Sequence, residues 1–315
     1  MIPTGFFEID KIIYGLDTPA LVVIGGTSGD TISFLTSLIK KISIDNKIPS
    51  TYFNFQSNND LLFNRFLSNI TEIPLKKFLT KNFNDDELHK IFTKEAYLND
   101  CPIRFEEKFG NLTIEIFRAK IANSIQQSNS QIFVIDNIEM LHNLLYSGDN
   151  SFPIDQTIRE LKSISKELNI TIICGSNIND TNINQRPNKR PKLLDFYHYT
   201  EIEETADLVF LIYVPEHYKI SIWDNDDEGQ ETTTENQAEI IIAKNRNGTT
   251  NSMRLSFFKN IAKFENLDTF YGYNDYNSLI KSDKIKNTIN LDSAFSVKSN
   301  TTSMNDFDDE DDFPF

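Results

Sequence analysis

The stretch that decides the fold is Leu21-Val22-Val23-Ile24-Gly25-Gly26-Thr27-Ser28-Gly29-Asp30-Thr31-Ile32-Ser33-Phe34. The apolar run from Ala20 to Ile24 reads as a buried strand. A glycine-rich turn follows, and then helical spacing from Ile32 to Ile42. Strand, glycine loop and helix form the setting in which backbone N–H groups and a helix N-terminus cradle phosphates. Gly25, Gly26, Ser28, Gly29, Thr31 and Ser33 are the candidate residues of that cradle. The same chemistry calls for a lysine beside the last glycine, to neutralise the β- and γ-phosphates. Laying Gly29-Asp30-Thr31 over the usual Gly-Lys-Thr puts Asp30 in the place of the cation and shortens the loop by one residue. Alignment from Gly26 without a gap puts Ile32 there instead. Neither register supplies a positive charge, and Lys40 and Lys41 lie farther down the helix.

Outward from that stretch, the 315 residues suit one large domain with appendages. A 39% hydrophobic content with 25 Phe is enough for a substantial core. Cys101 and Cys174 are far apart and match no metal spacing; Cys174, closing the apolar run Ile170 to Cys174, reads as a buried small hydrophobe. This usage suits a reducing cytoplasm. No apolar run approaches the length of a membrane span, so no membrane partner is expected. His89, His142, His198 and His217 form no ligand cluster, and no metal site is expected. A net charge of −15 argues against a protein that coats nucleic acid electrostatically, so any DNA contact must be local.

Further strands are expected at 51–55, 103–105, 131–135, 170–174 and 206–214, with helices at 60–68, 73–100, 113–127 and 153–168. Residues 177–195 read as a polar, basic loop, and 223–237 as an acidic, Thr-rich disordered loop. Ala238–Ala243 and Met253–Phe258 then form a hairpin. The alternation indicates an α/β fold, a mostly parallel sheet flanked by helices on both faces with a C-terminal β-hairpin.

A series of motifs, in order, resembles the C-terminal, RecA-like motor domain of DnaB-type replicative helicases. Thr4-Gly5-Phe6 through Gly15-Leu16 resembles the domain's entry, and Phe53-Asn54-Phe55-Gln56-Ser57 its Phe-Ser-Leu-Glu-Met-Ser. Val134-Ile135-Asp136-Asn137-Ile138-Glu139-Met140-Leu141 resembles its Walker B segment, and Lys166-Glu167-Leu168-Asn169 its Lys-Glu-Leu-Asn. Asp195 and Ile202 to Leu208 fit the next block, and Ala238 to Gly248 is the nearest match. The resemblance covers residues 4 to about 266 and implies an ATP-driven DNA motor of RecA-like fold.

Several family positions are altered. The lysine that binds phosphate is Asp30 or Ile32, and the glutamate that polarises the attacking water is Gln56. Glu139 replaces a glutamine, and Ser176-Asn177-Ile178-Asn179-Asp180 stands for Ser-Gln-Leu-Asn-Arg. The loop that holds single-stranded DNA in the family reads Asp195-Phe196-Tyr197-His198-Tyr199-Thr200. Asp136, a Thr31 or Ser33 hydroxyl able to reach Mg²⁺, and Lys244 with Arg246 are kept. The resemblance makes the last pair an arginine finger across a subunit boundary of a homo- or hetero-oligomeric ring; the residues alone equally suit a surface hairpin turn. Because one lost electrostatic element costs on the order of 10²–10³ in rate, Gln56, Asp136, Lys244 and Arg246 are not expected to form a working catalytic set. No cofactor is expected, with ATP and Mg²⁺ the ones implied if the loop is competent.

Arg186, Lys189, Arg190 and Lys192 form the one basic cluster, a candidate contact for single-stranded DNA or a solvated loop. The domain is expected over 1–268, a disordered linker over 269–303 and an acidic tail over 304–315. The last ten residues, ending Asp311-Asp312-Phe313-Pro314-Phe315, resemble the acidic tip of bacterial single-stranded DNA-binding proteins. That resemblance implies docking to replication or repair proteins. The expectation is a DNA-replication accessory or scaffold protein, a pseudoenzyme in the cytoplasm. The alternatives are a single-stranded DNA-binding protein on the same frame and a divergent active ATP-dependent helicase.

Overall fold

The computed structural model describes residues 1–56, 59–107, 110–146, 153–224 and 232–267. The linker over 269–303, the tail residues Asp311, Asp312, Phe313, Pro314 and Phe315, and positions 225–231 of the acidic loop lie outside the described residues.

The chain opens with α1 (Phe7–Ile13), β1 (Ala20–Gly26) and α2 (Ser28–Ile39), which continues as a π-helical turn over Lys40–Asp45. Next come β2 (Ser50–Phe53), α3 (Asn59–Thr71), α4 (Leu75–Thr80), α5 (Asp85–Asn99), β3 (Ile103–Glu106) and α6 (Ile114–Ser128). The middle holds β4 (Ile132–Ile135), α7 (Ile138–Leu145), α8 (Ile154–Glu167), β5 (Thr171–Asn177) and α9 (Asp180–Gln185). The rest is α10 (Tyr199–Thr205), β6 (Leu208–Tyr213), β7 (Gln237–Asn245), β8 (Ser252–Phe258) and β9 (Lys263–Glu265).

These strands form one sheet in the order β3-β2-β4-β5-β1-β6-β7-β8-β9. Strands β3 to β6 in that order run parallel, and β7, β8 and β9 are added antiparallel. Alternation along β1 decides which side chain goes to which face. Val22 and Ile24 join one core with Phe34, Leu38 and Phe66, beneath α2 and α3. Leu21 and Val23 join the other with Phe117, Leu141, Leu161 and Ile202, beneath α6, α7, α8 and α10. Burial on both faces is why β1 is continuously apolar. Cys174 is fully buried in the second core, as a small hydrophobe. Asn266 ties the ends of the domain together, accepting from the Phe7 amide at 3.0 Å and donating to the Gly5 carbonyl at 3.3 Å.

Five expectations need correction. The helix expected over 73–100 is two, α4 and α5, parted by the left-handed Lys81 and the Asn84 cap. Residues 232–237 of the acidic loop belong to the fold, with Thr234 buried and donating to the Ile220 carbonyl at 2.6 Å. Helix α2 begins at Ser28 rather than Ile32, because Thr27 already stands in N-cap geometry and Asp30 in the first turn suits the positive end of a helix. The stretch 177–195 is not only loop: Asn179 accepts from the Thr181 amide at 3.0 Å and starts α9. The hairpin gains a third strand, β9, which pairs Phe264 with Phe257.

Candidate nucleotide site

β1, β4 and β5 end side by side, with Gly25 opposite Ser176, Gly26 opposite Asn177, and Ile135 opposite Cys174. The glycine turn sits at these strand ends. Thr27 alone separates β1 from α2, and the Thr31 amide donates to its carbonyl at 2.9 Å. Gly25 is set by packing: a Cβ there would stand 2.3 Å from Cζ of Phe196. Gly175 on β5 is set the same way, 2.4 Å from the Asp136 carbonyl oxygen.

Asp30 is only 4% exposed, and its Oδ2 accepts from the Thr27 hydroxyl at 2.7 Å. The same oxygen lies 2.7 Å from Nε2 of His217, on the single turn of 3₁₀-helix Pro215–Tyr218 that follows β6. A carboxylate therefore occupies the positive end of α2, with an imidazole against it. Ser33 spends its hydroxyl on the Gly29 carbonyl at 2.7 Å, whereas the Thr31 hydroxyl is buried with no hydrogen-bond partner. Of the two hydroxyls, that of Thr31 is the one left without a partner, and it packs against Gly26, where a Cβ would stand 3.1 Å from its Oγ1.

Asp136 follows β4 and is buried, and desolvation pushes its carboxyl up to about 6. It accepts from the Phe55 amide at 2.9 Å and the Gln56 amide at 3.2 Å, which partly offset that burial. Gln56 thus reaches the site through its backbone. Glu139, in the first turn of α7, accepts from the Ser176 hydroxyl at 2.7 Å and the Asn177 amide at 3.1 Å, while its Oε2 is buried without a partner. Tyr52 Oη is likewise buried and unpartnered; burial pushes its phenol well up, with Asp136 adding to the rise and Arg65 opposing it.

Two side chains of this neighbourhood, Arg65 and His217, escaped sequence reasoning. Arg65 leans from α3 toward Tyr52, and desolvation lowers its guanidinium from the usual value. Its only signal is that it is the single Lys or Arg within Asn59–Thr71. His217 has no local signal at all, being 187 residues from Asp30.

Lys244 and Arg246 lie at the other end of the sheet. Lys244 Nζ donates to the Glu203 carbonyl; Arg246 pairs with Asp207 Oδ1 at 2.7 Å and donates to the Glu204 carbonyl at 3.2 Å. Asp207 Oδ2 also accepts from the Leu21 amide at 2.7 Å and from Lys162 at 2.5 Å. Leu21 is the second residue of β1 and Gly26 its last, so roughly 17 Å of strand separates Arg246 from its own glycine turn.

The basic cluster is braced internally. Both terminal nitrogens of Arg186 engage the fully buried Asp195, at 2.5 and 2.6 Å. Arg190 binds Glu239 at 2.7 Å and Asp224 at 2.8 Å, its guanidinium over the Tyr213 ring. Lys189 Nζ donates to the Asn184 carbonyl at 2.5 Å, and Lys192 is exposed. Among the described residues no group of His, Cys, Asp and Glu is arranged to hold a metal ion, and no helix is long and apolar enough to cross a membrane.

Comparison with known proteins agrees with this architecture. The replicative DNA helicase DnaC of Bacillus subtilis is 28% identical over 270 residues, covering 85% of this chain and 57% of that protein. A probable replicative DNA helicase of Trieres chinensis is 28% identical over 268 residues, 83% of this chain and 56% of its own length. The chain thus spans about half the length of the curated relatives it matches. Among solved structures, a DnaB-like replicative helicase, described with its interactions with primase, has a TM-score of 0.71 at 24% identity, covering 84% of this chain and 62% of that one. A KaiC-like protein of Pyrococcus horikoshii has a TM-score of 0.55 at 15% identity, over 84% of this chain and 97% of its own, a likeness of fold alone. The family model described as the DnaB-like helicase C-terminal domain matches residues 1–266, and the chain belongs to that family.

Proposed function

We propose that this chain is a DNA-replication accessory or scaffold protein built on a replicative-helicase motor domain that no longer turns over ATP. The observation that carries this reading is Asp30, a carboxylate at the N-terminus of α2 where the chemistry requires a cation, held by Thr27 and His217. Gln56 supports it, since an amide cannot take a proton from water. ATP and Mg²⁺ are the cofactors of the site if it is competent; Thr31 and Asp136 are then the residues that face the metal.

The test is ATP turnover by the purified chain with Mg²⁺, in which no hydrolysis above background is expected. Turnover of about one per second, the low end of ordinary enzymes, that disappears in Asp136→Ala overturns this reading and leaves a divergent helicase.

In the same reading the acidic tip recruits replication or repair proteins. Six acidic residues steer it to a basic surface and Phe315 anchors it. Removing Pro314-Phe315 is expected to abolish capture of such partners; capture unchanged by the truncation makes the tail a solubility device.

Single-stranded DNA binding through Arg186, Lys189, Arg190 and Lys192 is the weaker alternative, because Arg186 and Arg190 already face buried carboxylates. Its test is a Lys189→Ala/Lys192→Ala variant, which spares those pairs and lowers the salt dependence of any DNA binding. Ring assembly, in which Arg246 meets a neighbour's site, remains part of the proposal and is read by the mass of the complex in solution.

A further inference from the structure

The turn Pro215–Tyr218 is not a loose excursion. The His217 amide donates to the Val214 carbonyl at 3.1 Å, and the Ile220 amide to the Pro215 carbonyl at 3.2 Å. Glu216 accepts from the Asn236 amide at 2.9 Å, joining the turn to the segment before β7. Tyr218 stacks on Tyr213 of β6 with centroids 6.0 Å apart. The turn is thus fixed at both ends and brings the His217 imidazole, with the Tyr218 phenol nearby, to the start of α2.

What it meets there has the elements of an anion receptor. Helix α2 is 12 residues long, so its first turn carries unsatisfied N–H groups and a positive field. Asp30 fills that field from within the helix. Beside it Thr31, 4% exposed, holds a hydroxyl that bonds to nothing, facing Gly26. A hydroxyl buried without a partner is destabilising, and no packing role among the described contacts requires it, since a valine has the same shape. The orphan hydroxyl is therefore a second, independent mark of a ligand position.

We propose that Asp30, braced by His217, is a plug in cis: its carboxylate stands in for a phosphate at the start of α2, and removing that carboxylate exposes a site for linear polyphosphates with Mg²⁺. This inference rests on the reading that the chain does not turn over ATP. It goes beyond that reading in assigning the closure to one separable carboxylate rather than to decay of the whole loop. Removing the carboxylate removes both the internal anion and the repulsion against an incoming one. It also leaves His217 as a donor for the ligand. Removing His217 alone leaves the Asp30 charge in place, and the site stays closed.

The probe is inorganic tripolyphosphate with Mg²⁺, titrated calorimetrically into the full chain. The parent and His217→Ala are expected to show no binding. Asp30→Gly is expected to bind at least about tenfold more tightly than the parent, a clear step on any affinity scale. Adding Thr31→Val to Asp30→Gly is expected to reverse most of that gain. Should Asp30→Gly fail to fold by thermal melting, Asp30→Asn carries the test, because it keeps the size of the side chain and only discharges it. A folded Asp30→Gly or Asp30→Asn that binds no better than the parent overturns the plug, as does a parent that binds as tightly as its variants. ATP hydrolysis by the parent overturns the earlier reading; silence from parent and variants alike overturns only this one.

Discussion

The two ends of β1 have been treated differently. At its start, Asp207 has both oxygens engaged, by Arg246 on one and by Lys162 and the Leu21 amide on the other. At its finish, Thr31 Oγ1 is buried without a partner, and so are Glu139 Oε2 in the first turn of α7 and, farther across the sheet on β2, Tyr52 Oη. The first arrangement is what a fold needs: buried charges are paired, because an unpaired one costs several kcal/mol. The second is what a fold tolerates when the positions were shaped by something other than stability. Structural demand and chemical demand are thereby separated by the length of one strand.

Breaking the paired end should produce the largest effect. Asp207→Ala strands Lys162, which is 10% exposed, and should cost about 3–5 kcal/mol in urea unfolding. A loss below about 1 kcal/mol, the size of a surface pair, breaks the comparison. At the other end the sign reverses. Asp136 has a carboxyl near 6 in the folded chain against an ordinary 3.8, so the folded state holds the proton more tightly than the unfolded one. Stability therefore falls as pH rises from about 4 through about 6 and stays lower above that window. The ceiling on this effect is about 3 kcal/mol, and the hydrogen bonds from Phe55 and Gln56 lower what an amide gains. Asp136→Asn should accordingly stabilise the fold by about 1–2 kcal/mol near pH 7.5, an advantage that vanishes near pH 4. Urea midpoints at the two pH values read it directly, and destabilisation near pH 7.5 refutes it.

The remaining two effects are smaller. Thr31→Val removes a buried, unpartnered hydroxyl at constant shape and should raise stability by about 1 kcal/mol; a loss of that size shows that the hydroxyl has a partner after all. Arg246→Ala leaves Asp207 with its other two partners, and the side chain is 43% exposed. Its cost should stay under about 1 kcal/mol in the same unfolding measurement, well below that of Asp207→Ala.

Much of this architecture was legible in sequence because burial on both faces leaves a continuous apolar run, as at Ala20–Ile24 and Ile132–Ile135. The start of α2 was not, because Gly29 and Asp30 read as breakers until Thr27 is seen in cap geometry. β9 was missed because Lys263-Phe264-Glu265 offers one apolar residue, too few for any period to register. Within the site, Asp30, Asp136 and Gln56 announce themselves by lying in motifs. His217 does not: its role exists only because β6 lies beside β1, and that adjacency is a property of sheet order rather than of local sequence. The acidic partners of the basic cluster were hidden for the same reason, since Glu239 and Asp224, which pair with Arg190, lie 49 and 34 residues away along the chain.

Phe196 lies where a side chain on residue 25 would go, and the Asp136 carbonyl bars one from residue 175. These two glycines answer to their neighbours' bulk, so they would stay fixed in a lineage that had abandoned nucleotide chemistry altogether. Asp30 and Gln56 answer to no such steric constraint: Asp30 is held by hydrogen bonds to Thr27 and His217, and Gln56 meets Asp136 through its backbone. A motif of this kind therefore erodes unevenly, its catalytic letters first and its steric letters last. A glycine-rich signature can outlive the reaction it once served, and an inventory of motor proteins drawn up from glycines alone will count retired members among the working ones.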